Sequence, residues 1–270
     1  MISPRLAPAF LGLAFAASPA AAQAVQGQRY TLRMTSEGAS EIIATVREGN
    51  GRARIDFERS HGGPESYILV NHGTGTVVFV RPEEREYTVV DDTTFERIVG
   101  KALRMVTQSG VVQVQLRDVR ITPERLGAGE PIAGRPTQRY RLTQEYRAYV
   151  GAFGIVGDEP VHQTVVTEYW VSPRLSLPRN PLVELLAGVE TALAQKSASF
   201  VHRSAAARDS LFRGMPLRIV VTARSGSGDE PTKERRIEVT DLGPAELDPA
   251  IWTIPRGYKQ RQGDFSFEIN

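Results

Sequence analysis

Side chains that could carry chemistry are few in this sequence, and they are scattered along it. The chain has no cysteine and four histidines. His61, His72, His162 and His202 form no HxH or HExxH pair, whereas a metal site draws its ligands from residues clustered at turn or helical spacing. No G-x-S-x-G segment offers a serine nucleophile. The sequence therefore predicts no catalytic residue, no metal and no cofactor, and we expect a protein that is not an enzyme.

A pair of aspartates and a pair of aromatic residues have a simpler explanation than catalysis or ligand binding. Asp91 and Asp92 precede a predicted helix, where carboxylates favourably meet the positive end of the helix dipole. Tyr169 and Trp170 are predicted to lie near arginines on strands, and such side chains could stack nucleobases. The formal net charge is only +2, however, so charge creates no strong attraction to nucleic acid. We expect helix capping for the first pair, sheet packing for the second, and no nucleic-acid partner.

Residues 1–24 have the pattern of a signal peptide. Arg5 supplies the positive charge, and the apolar run from Leu6 to Ala17 is well short of the ~20 residues that span a bilayer. Small residues from Ala20 to Ala24 then match the site that signal peptidase reads, so cleavage is expected after Ala22 or Ala24. We expect an exported protein, periplasmic or secreted, with no transmembrane segment in the mature chain and no disulfide.

Alternation of apolar and polar residues at a period of two predicts an antiparallel β-sheet. The alternation is clear from Arg52 to Glu58 and in the two runs that flank the glycine-rich residues 151–160. We interpret these two runs as a long hairpin near the middle of the sheet. The strands Tyr67–Val70 and Val77–Val80 are apolar on both faces, which requires cover on both sides.

Two apolar stripes at helical spacing predict the cover. A capping box at Thr93 precedes a stripe from Phe95 to Val106. Asn180 begins a second helical segment, whose pattern weakens between residues 196 and 199 and resumes before Gly214. A sheet of about ten strands curls as its twist accumulates. We therefore expect the helices to lie on the concave side of the curl.

The predicted fold class is mainly β (α+β), a large curled antiparallel sheet or incomplete β-barrel with helices covering its concave face. We expect the chain to comprise a signal peptide at residues 1–24, a single domain at 25–258 and a polar C-terminal tail at 259–270. If the helices do not fill the curl, an apolar groove remains, of a kind suited to a lipid or acyl chain. The alternative is a filled core. The residues predicted to line the groove are Leu69, Phe79, Val99, Leu103, Trp170 and Leu186.

Five segments after the signal peptide support this fold by resemblance. They are Arg52–Phe57 (RARIDF), Ile132–Thr137, Glu168–Val171, Gly214–Leu217 and Leu247–Tyr258. In this order, they resemble uncharacterised periplasmic proteins of the outer-membrane lipoprotein carrier (LolA/LolB-like) superfamily. The resemblance covers nearly the whole mature chain. It implies a half-barrel with helices on the concave side, and binding of lipid or lipoprotein acyl chains in some members.

Two functions are favoured on this basis over a third, an enzyme, for which no catalytic constellation appears. The first is an exported, non-enzymatic binding or chaperone-like module for an apolar ligand, a lipid or lipoprotein acyl chain, in the cell envelope. The second is a protein-interaction or envelope-sensing module that uses the same scaffold with a filled core and no ligand. A lipid or lipoprotein is thus the expected partner under the first function, and a continuous apolar cavity would distinguish the two.

Overall fold

The computed structural model describes residues 24–38, 40–58, 66–90, 113–152, 155–156, 160–175, 198–226 and 233–261. Outside these residues lie residues 1–23 of the predicted signal peptide, Asp91 and Asp92, the predicted helix at 95–106 and the beginning of the second predicted helical segment. So do three of the residues predicted to line a groove, which are Val99, Leu103 and Leu186.

In these described residues, thirteen strands form a single sheet. The first half of the chain contributes β1 (Val25–Ser36), β2 (Ile42–Gly49), β3 (Arg52–Phe57), β4 (Tyr67–Asn71), β5 (Thr76–Arg81) and β6 (Glu86–Val90). The second half contributes β7 (Gln113–Ile132), β8 (Arg135–Ala152), β9 (Ile155–Val156), β10 (Val161–Ser172), β11 (Met215–Ser225), β12 (Lys233–Leu247) and β13 (Lys259–Gln260).

The strand order shows two halves joined in the middle. It runs β13-β6-β5-β4-β3-β2-β1-β12-β11-β10-β8-β7, with β9 paired to β8. All pairs are antiparallel except β13 with β6. The prediction of a mainly β fold with a large antiparallel sheet is therefore confirmed. The predicted hairpin of β8 and β10 is present, but it lies near one edge; the middle is occupied instead by β1 and β12, which pair from the two ends of the domain.

The two faces of the sheet differ sharply in chemistry. Cross-strand neighbours share a face, and one continuous row crosses five strands through Phe79, Ile68, Ile55, Val46 and Tyr30. Further buried members of this apolar face are Leu32, Leu142, Leu217, Ile219, Ile237 and Val239. The residues that alternate with them form the opposite, charged face, where arginines and carboxylates pair across strands.

One helix, α1 (Ala198–Leu211), packs on the apolar face against β7 and β8. Ser204 Oγ accepts a buried hydrogen bond of 2.9 Å from Gln144 Nε2, and Phe200 meets Tyr146 edge-on at 5.6 Å between ring centroids. The chain then turns at Gly214, whose φ of 122° disfavours residues with a Cβ. The predicted return of the helical pattern before Gly214 thus corresponds to α1. Within the described ranges, no helix is long and apolar enough to cross a membrane.

The C-terminal segment covers part of the charged face. After a 3-10 turn at Pro249–Trp252, Ile254 and Tyr258 pack against a small apolar cluster of Tyr67, Leu69 and Val80. Lys259 and Gln260 then pair with β6. The sheet consequently continues past residue 258, into residues whose polarity predicted a tail. The C-terminal segment also explains why β4 and β5 are apolar on the charged face as well as on the apolar face. It covers these two strands on the charged side.

Candidate ligand-binding face

Apolar side chains at one end of the apolar face are partly exposed. Ile42 on β2 stands in register with Met34 on β1, and Phe57 on β3 pairs with Ala44. Alternation places Ile42 on the same face as Ala44 and Val46, which are fully buried, yet Ile42 is 44% exposed. Met34 and Phe57 are half-buried beside the core. We call Met34, Ile42 and Phe57 the apolar rim.

The other end of the same strands carries polar groups. Glu48 follows Val46 on the inward face of β2 and is 2% exposed. The Tyr30 hydroxyl donates to Glu48 Oε2 at 3.4 Å, and His72 Nε2 lies 3.7 Å from Glu48 Oε1. Burial raises the pKa of Tyr30 well above its ordinary value, and the neighbouring Glu48 carboxylate raises it further. Tyr30 therefore remains a neutral donor to this carboxylate.

The local backbone explains how Glu48 reaches this position. β2 and β3 join through a tight turn in which Asn50 and Gly51 have φ values of 51° and 69°, as a two-residue hairpin of the type favoured by Asn-Gly requires. On the neighbouring strand, a Cβ on Gly27 would lie only 2.4 Å from the Glu48 backbone oxygen. Glycine at that position therefore permits the close approach of β1 to β2.

A cavity of about 390 Å³ lies at this polar end. Its lining comes from residues 26–28 of β1, residues 48–51 of the hairpin and Pro244 of β12. This volume lies in the range of small-molecule sites. In the part of the chain that the structure describes, no three His, Asp or Glu side chains are grouped so that they could hold a metal ion.

The structure does not bring the predicted groove residues together on one face. Phe79 pairs with Ile68 and packs against the main core on the apolar face. Leu69 pairs with Val78, so it points to the opposite side. There it is buried in the cluster covered by the C-terminal segment. The physical reason is the period of two, because neighbouring positions of paired strands project to opposite faces.

Trp170 is a buried member of the main core cluster, and charged side chains lie against its ring. The guanidinium groups of Arg139 and Arg218 lie 4.9 Å and 5.3 Å from its ring centroid. Arg218 also pairs with Glu238 at 2.9 Å and contacts Glu130. Cations placed over an indole ring are stabilised by its electron-rich face, so the Trp170 ring contacts the arginines as well as the core. Of the predicted lining residues that the structure describes, Phe79 and Trp170 pack with the main core cluster, and Leu69 packs with the separate cluster.

Sequence reasoning did not identify Tyr30, Glu48 and His72 as a group. One signal was present, because Glu48 continues the inward alternation of Ala44 and Val46. An ionisable residue at an inward position is unusual, since a buried carboxylate needs partners. The contact with His72 was not readable, because it depends on how the β4–β5 turn lies beside the β2–β3 hairpin.

Comparisons with known proteins add little to this geometry. No protein-family profile and no curated protein sequence matches the chain. An uncharacterised conserved protein from Thermus thermophilus is similar in structure, with 10% identity over 87% of this chain and 89% of that chain and a TM-score of 0.38. A LolA superfamily protein from Nitrosomonas europaea gives 11% identity over 86% and 90%, with a TM-score of 0.29. These scores are low, so the fold rests on the strand order and register.

Proposed function

We propose that the protein is an exported, non-enzymatic binding or chaperone-like module that holds an apolar ligand, a lipid or lipoprotein acyl chain, against the apolar face of its sheet. The observation that supports this most directly is Ile42. It is 44% exposed at a position whose neighbours on the same face, Ala44 and Val46, are fully buried. The apolar rim is thus the place where a ligand can reach this face.

The energetics favour an acyl chain as the ligand. Burying one methylene gains about 0.8 kcal/mol, so roughly ten methylenes yield a gross gain of about 8 kcal/mol before the costs of association are subtracted. The charged face offers no comparable gain, because its exposed area is lined by arginine–carboxylate pairs such as Arg141–Glu168 at 2.7 Å. The ligand is therefore expected on the apolar side alone.

The structure supplies a matched pair of variants for the rim. Ile42 and Val89 are the exposed large hydrophobic residues of the described chain, at 44% and 36%. Val89 pairs with Val78 and lies on the opposite face. Ile42→Glu should weaken binding of a fluorescent fatty-acid probe by at least about tenfold, because it places a charge against the apolar tail. Val89→Glu should leave probe binding unchanged.

Two results of this experiment would contradict the proposal. One is equal binding of the probe by both variants and the wild type. The other is an absence of probe binding together with no lipid in organic extracts of natively purified protein, as judged by mass spectrometry. Both would favour the interaction module with a filled core, and co-purification of a partner protein would then be the next measurement.

Export is part of the proposal and has its own test. The positive residue, short apolar run and small-residue site in residues 1–24 support cleavage after Ala22 or Ala24. Intact mass spectrometry of protein recovered from the cell envelope should give the mass of a chain that begins at Gln23 or Val25. A mature species that retains residues 1–20 would contradict export by this route.

A further inference from the structure

An arginine stands beside the apolar rim, at the end of the apolar face where Ile42 is exposed. We propose that Arg235 binds the anionic head group of an amphiphile, a carboxylate or a phosphate, whose tail lies on the apolar rim. The position of the tail rests on the function proposed above, whereas the charge of the head group follows from Arg235 itself.

The register of three strands places Arg235 on the apolar face. It pairs with Ser36 on β1 and with Val221 on β11, and Val221 packs against the main core. Two residues further along β12, the buried Ile237 pairs with Met34 of the apolar rim. Positions i and i+2 of a strand share a face. Arg235 therefore projects from the same face as the rim, two residues closer to the start of β12.

Arg235 and Ile42 lie on the two strands that flank β1. Ile42 pairs with Met34 from β2, while Arg235 lies on β12, one same-face position beyond the partner of Met34. From the usual spacings between strands and along them, the two Cα atoms are separated by roughly 12 Å. A head group on Arg235 would thus leave the tail beside the rim.

The charge of Arg235 is not neutralised by a carboxylate. Arg235 is exposed, and its side chain makes no ion pair or hydrogen bond among the residues that the structure describes. The adjacent Arg236, on the charged face, pairs with Glu234 at 3.6 Å. A guanidinium group presents a planar set of donors that fits the paired oxygens of a carboxylate or phosphate. An ammonium head group would be repelled at this position.

The surroundings of Arg235 favour an amphiphile over a free anion. An exposed ion pair contributes little by itself, because water screens its charges. Met34 is half-buried and Ile42 is exposed nearby, so each methylene that the tail removes from water on the rim adds to binding. The tail would also exclude water from the ion pair, which reduces the screening of its charges.

The test compares amphiphiles that share a tail and differ in charge. Isothermal titration calorimetry at neutral pH would measure dodecanoate, dodecyl phosphate and dodecylamine, each below its micelle-forming concentration. The wild type should bind the two anions at least about tenfold more tightly than the amine, the scale of one charge-assisted hydrogen bond. Arg235→Gln should remove this preference. Arg236→Gln should retain it, because Arg236 lies on the opposite face and pairs with Glu234.

Arg235→Glu reverses the charge at the same position and should therefore reverse the preference. This variant should bind dodecylamine more tightly than dodecanoate. Because residue 235 is exposed, these substitutions should leave the fold intact, and circular dichroism would verify this before titration. Added salt should reduce the preference of the wild type, because ions screen exposed charges. A preference for anions that persists in both Arg235 variants would overturn the assignment to Arg235.

Acetate and inorganic phosphate, which have no tail, separate this proposal from the proposed function. If they bind as tightly as the dodecyl anions and Arg235→Gln removes their binding, the anion site stands and the apolar-face proposal fails. If the wild type binds dodecanoate and dodecylamine equally and Ile42→Glu weakens both, the head-group proposal is overturned and the apolar face stands. If none of these probes binds, both proposals are overturned.

Discussion

The carboxylate of Glu168 shows how single residues stabilise the charged face. Arg139 Nη2 donates to its Oε2 at 3.0 Å, and Arg141 Nη2 donates to its Oε1 at 2.7 Å. Partial burial acts to raise the pKa of Glu168, but the hydrogen bonds from Arg141 and Arg139 and their charges outweigh it, so the pKa is lowered. The two arginines thus favour the ionised form in the folded protein.

This lowered pKa predicts a pH-dependent contribution to stability. A carboxylate with a depressed folded-state pKa stabilises the protein above its unfolded pKa, near about 4.3 for glutamate, and the contribution is lost as pH falls through the folded-state value. The difference in unfolding free energy between the wild type and Glu168→Gln should therefore be largest above about pH 5 and shrink on acidification. Urea titrations across pH would measure it, with the exposed Glu37→Gln as control. A difference that is constant with pH would contradict the assignment.

Among single residues, the sequence predicted which positions face inward better than what they contact. The alternation that buries Ala44 and Val46 also buries Glu48, and this could be read directly. Its neighbour His72 could not, because the two residues meet only when the β2–β3 and β4–β5 turns lie side by side. Long-range contacts between turns leave no periodic signal in a sequence.

The C-terminal segment covers one side of β4 and β5, and the main core covers the other side. Leu69 is 6% exposed, and it packs with Ile254 and Tyr258 rather than with the main core. Leu69→Ala should cost about 2–5 kcal/mol of unfolding free energy through lost burial and a residual cavity. Because Leu69 faces away from the apolar side, the same variant should bind the fatty-acid probe as the wild type does.

Phe79→Ala provides the complementary measurement for these two strands. Phe79 faces the apolar side beside Ile68, so its truncation should weaken probe binding. Denaturant titration and probe titration of both variants therefore report on opposite faces of one strand pair. Weakened probe binding in a folded Leu69→Ala variant, with no change in Phe79→Ala, would show that the assignment of the ligand to the apolar face is wrong.

The sequence predicted the doubly apolar strands correctly as a pattern but assigned their cover to helices. On the charged face, the cover is the segment with Ile254 and Tyr258. Its polar residues Lys259 and Gln260 gave no strand signal, because an edge pair of two residues is held by backbone hydrogen bonds that any side chain permits. The predicted helix at 95–106 lies outside the described residues, and its packing remains a prediction.

Over the whole molecule, the class of fold was predictable and the strand order was not. Period-two alternation shows that a strand has a buried side, and local turns such as Asn50-Gly51 show which neighbours form hairpins. The pairing of β1 with β12 has no local signal. The sequence therefore placed the β8–β10 hairpin near the middle of the sheet, whereas the structure places the two ends of the domain there.

The central pairing of β1 with β12 also determines when the sheet can finish folding during synthesis. Gln26 and Glu246, which meet across these strands, are 220 residues apart in the chain. Neither half of the sheet can join the other until β12 has been synthesised, and contacts between such distant residues slow folding. The nascent chain thus stays incompletely folded until its last strands emerge. If the chain is exported as proposed, this delay leaves the sheet incomplete while translocation begins.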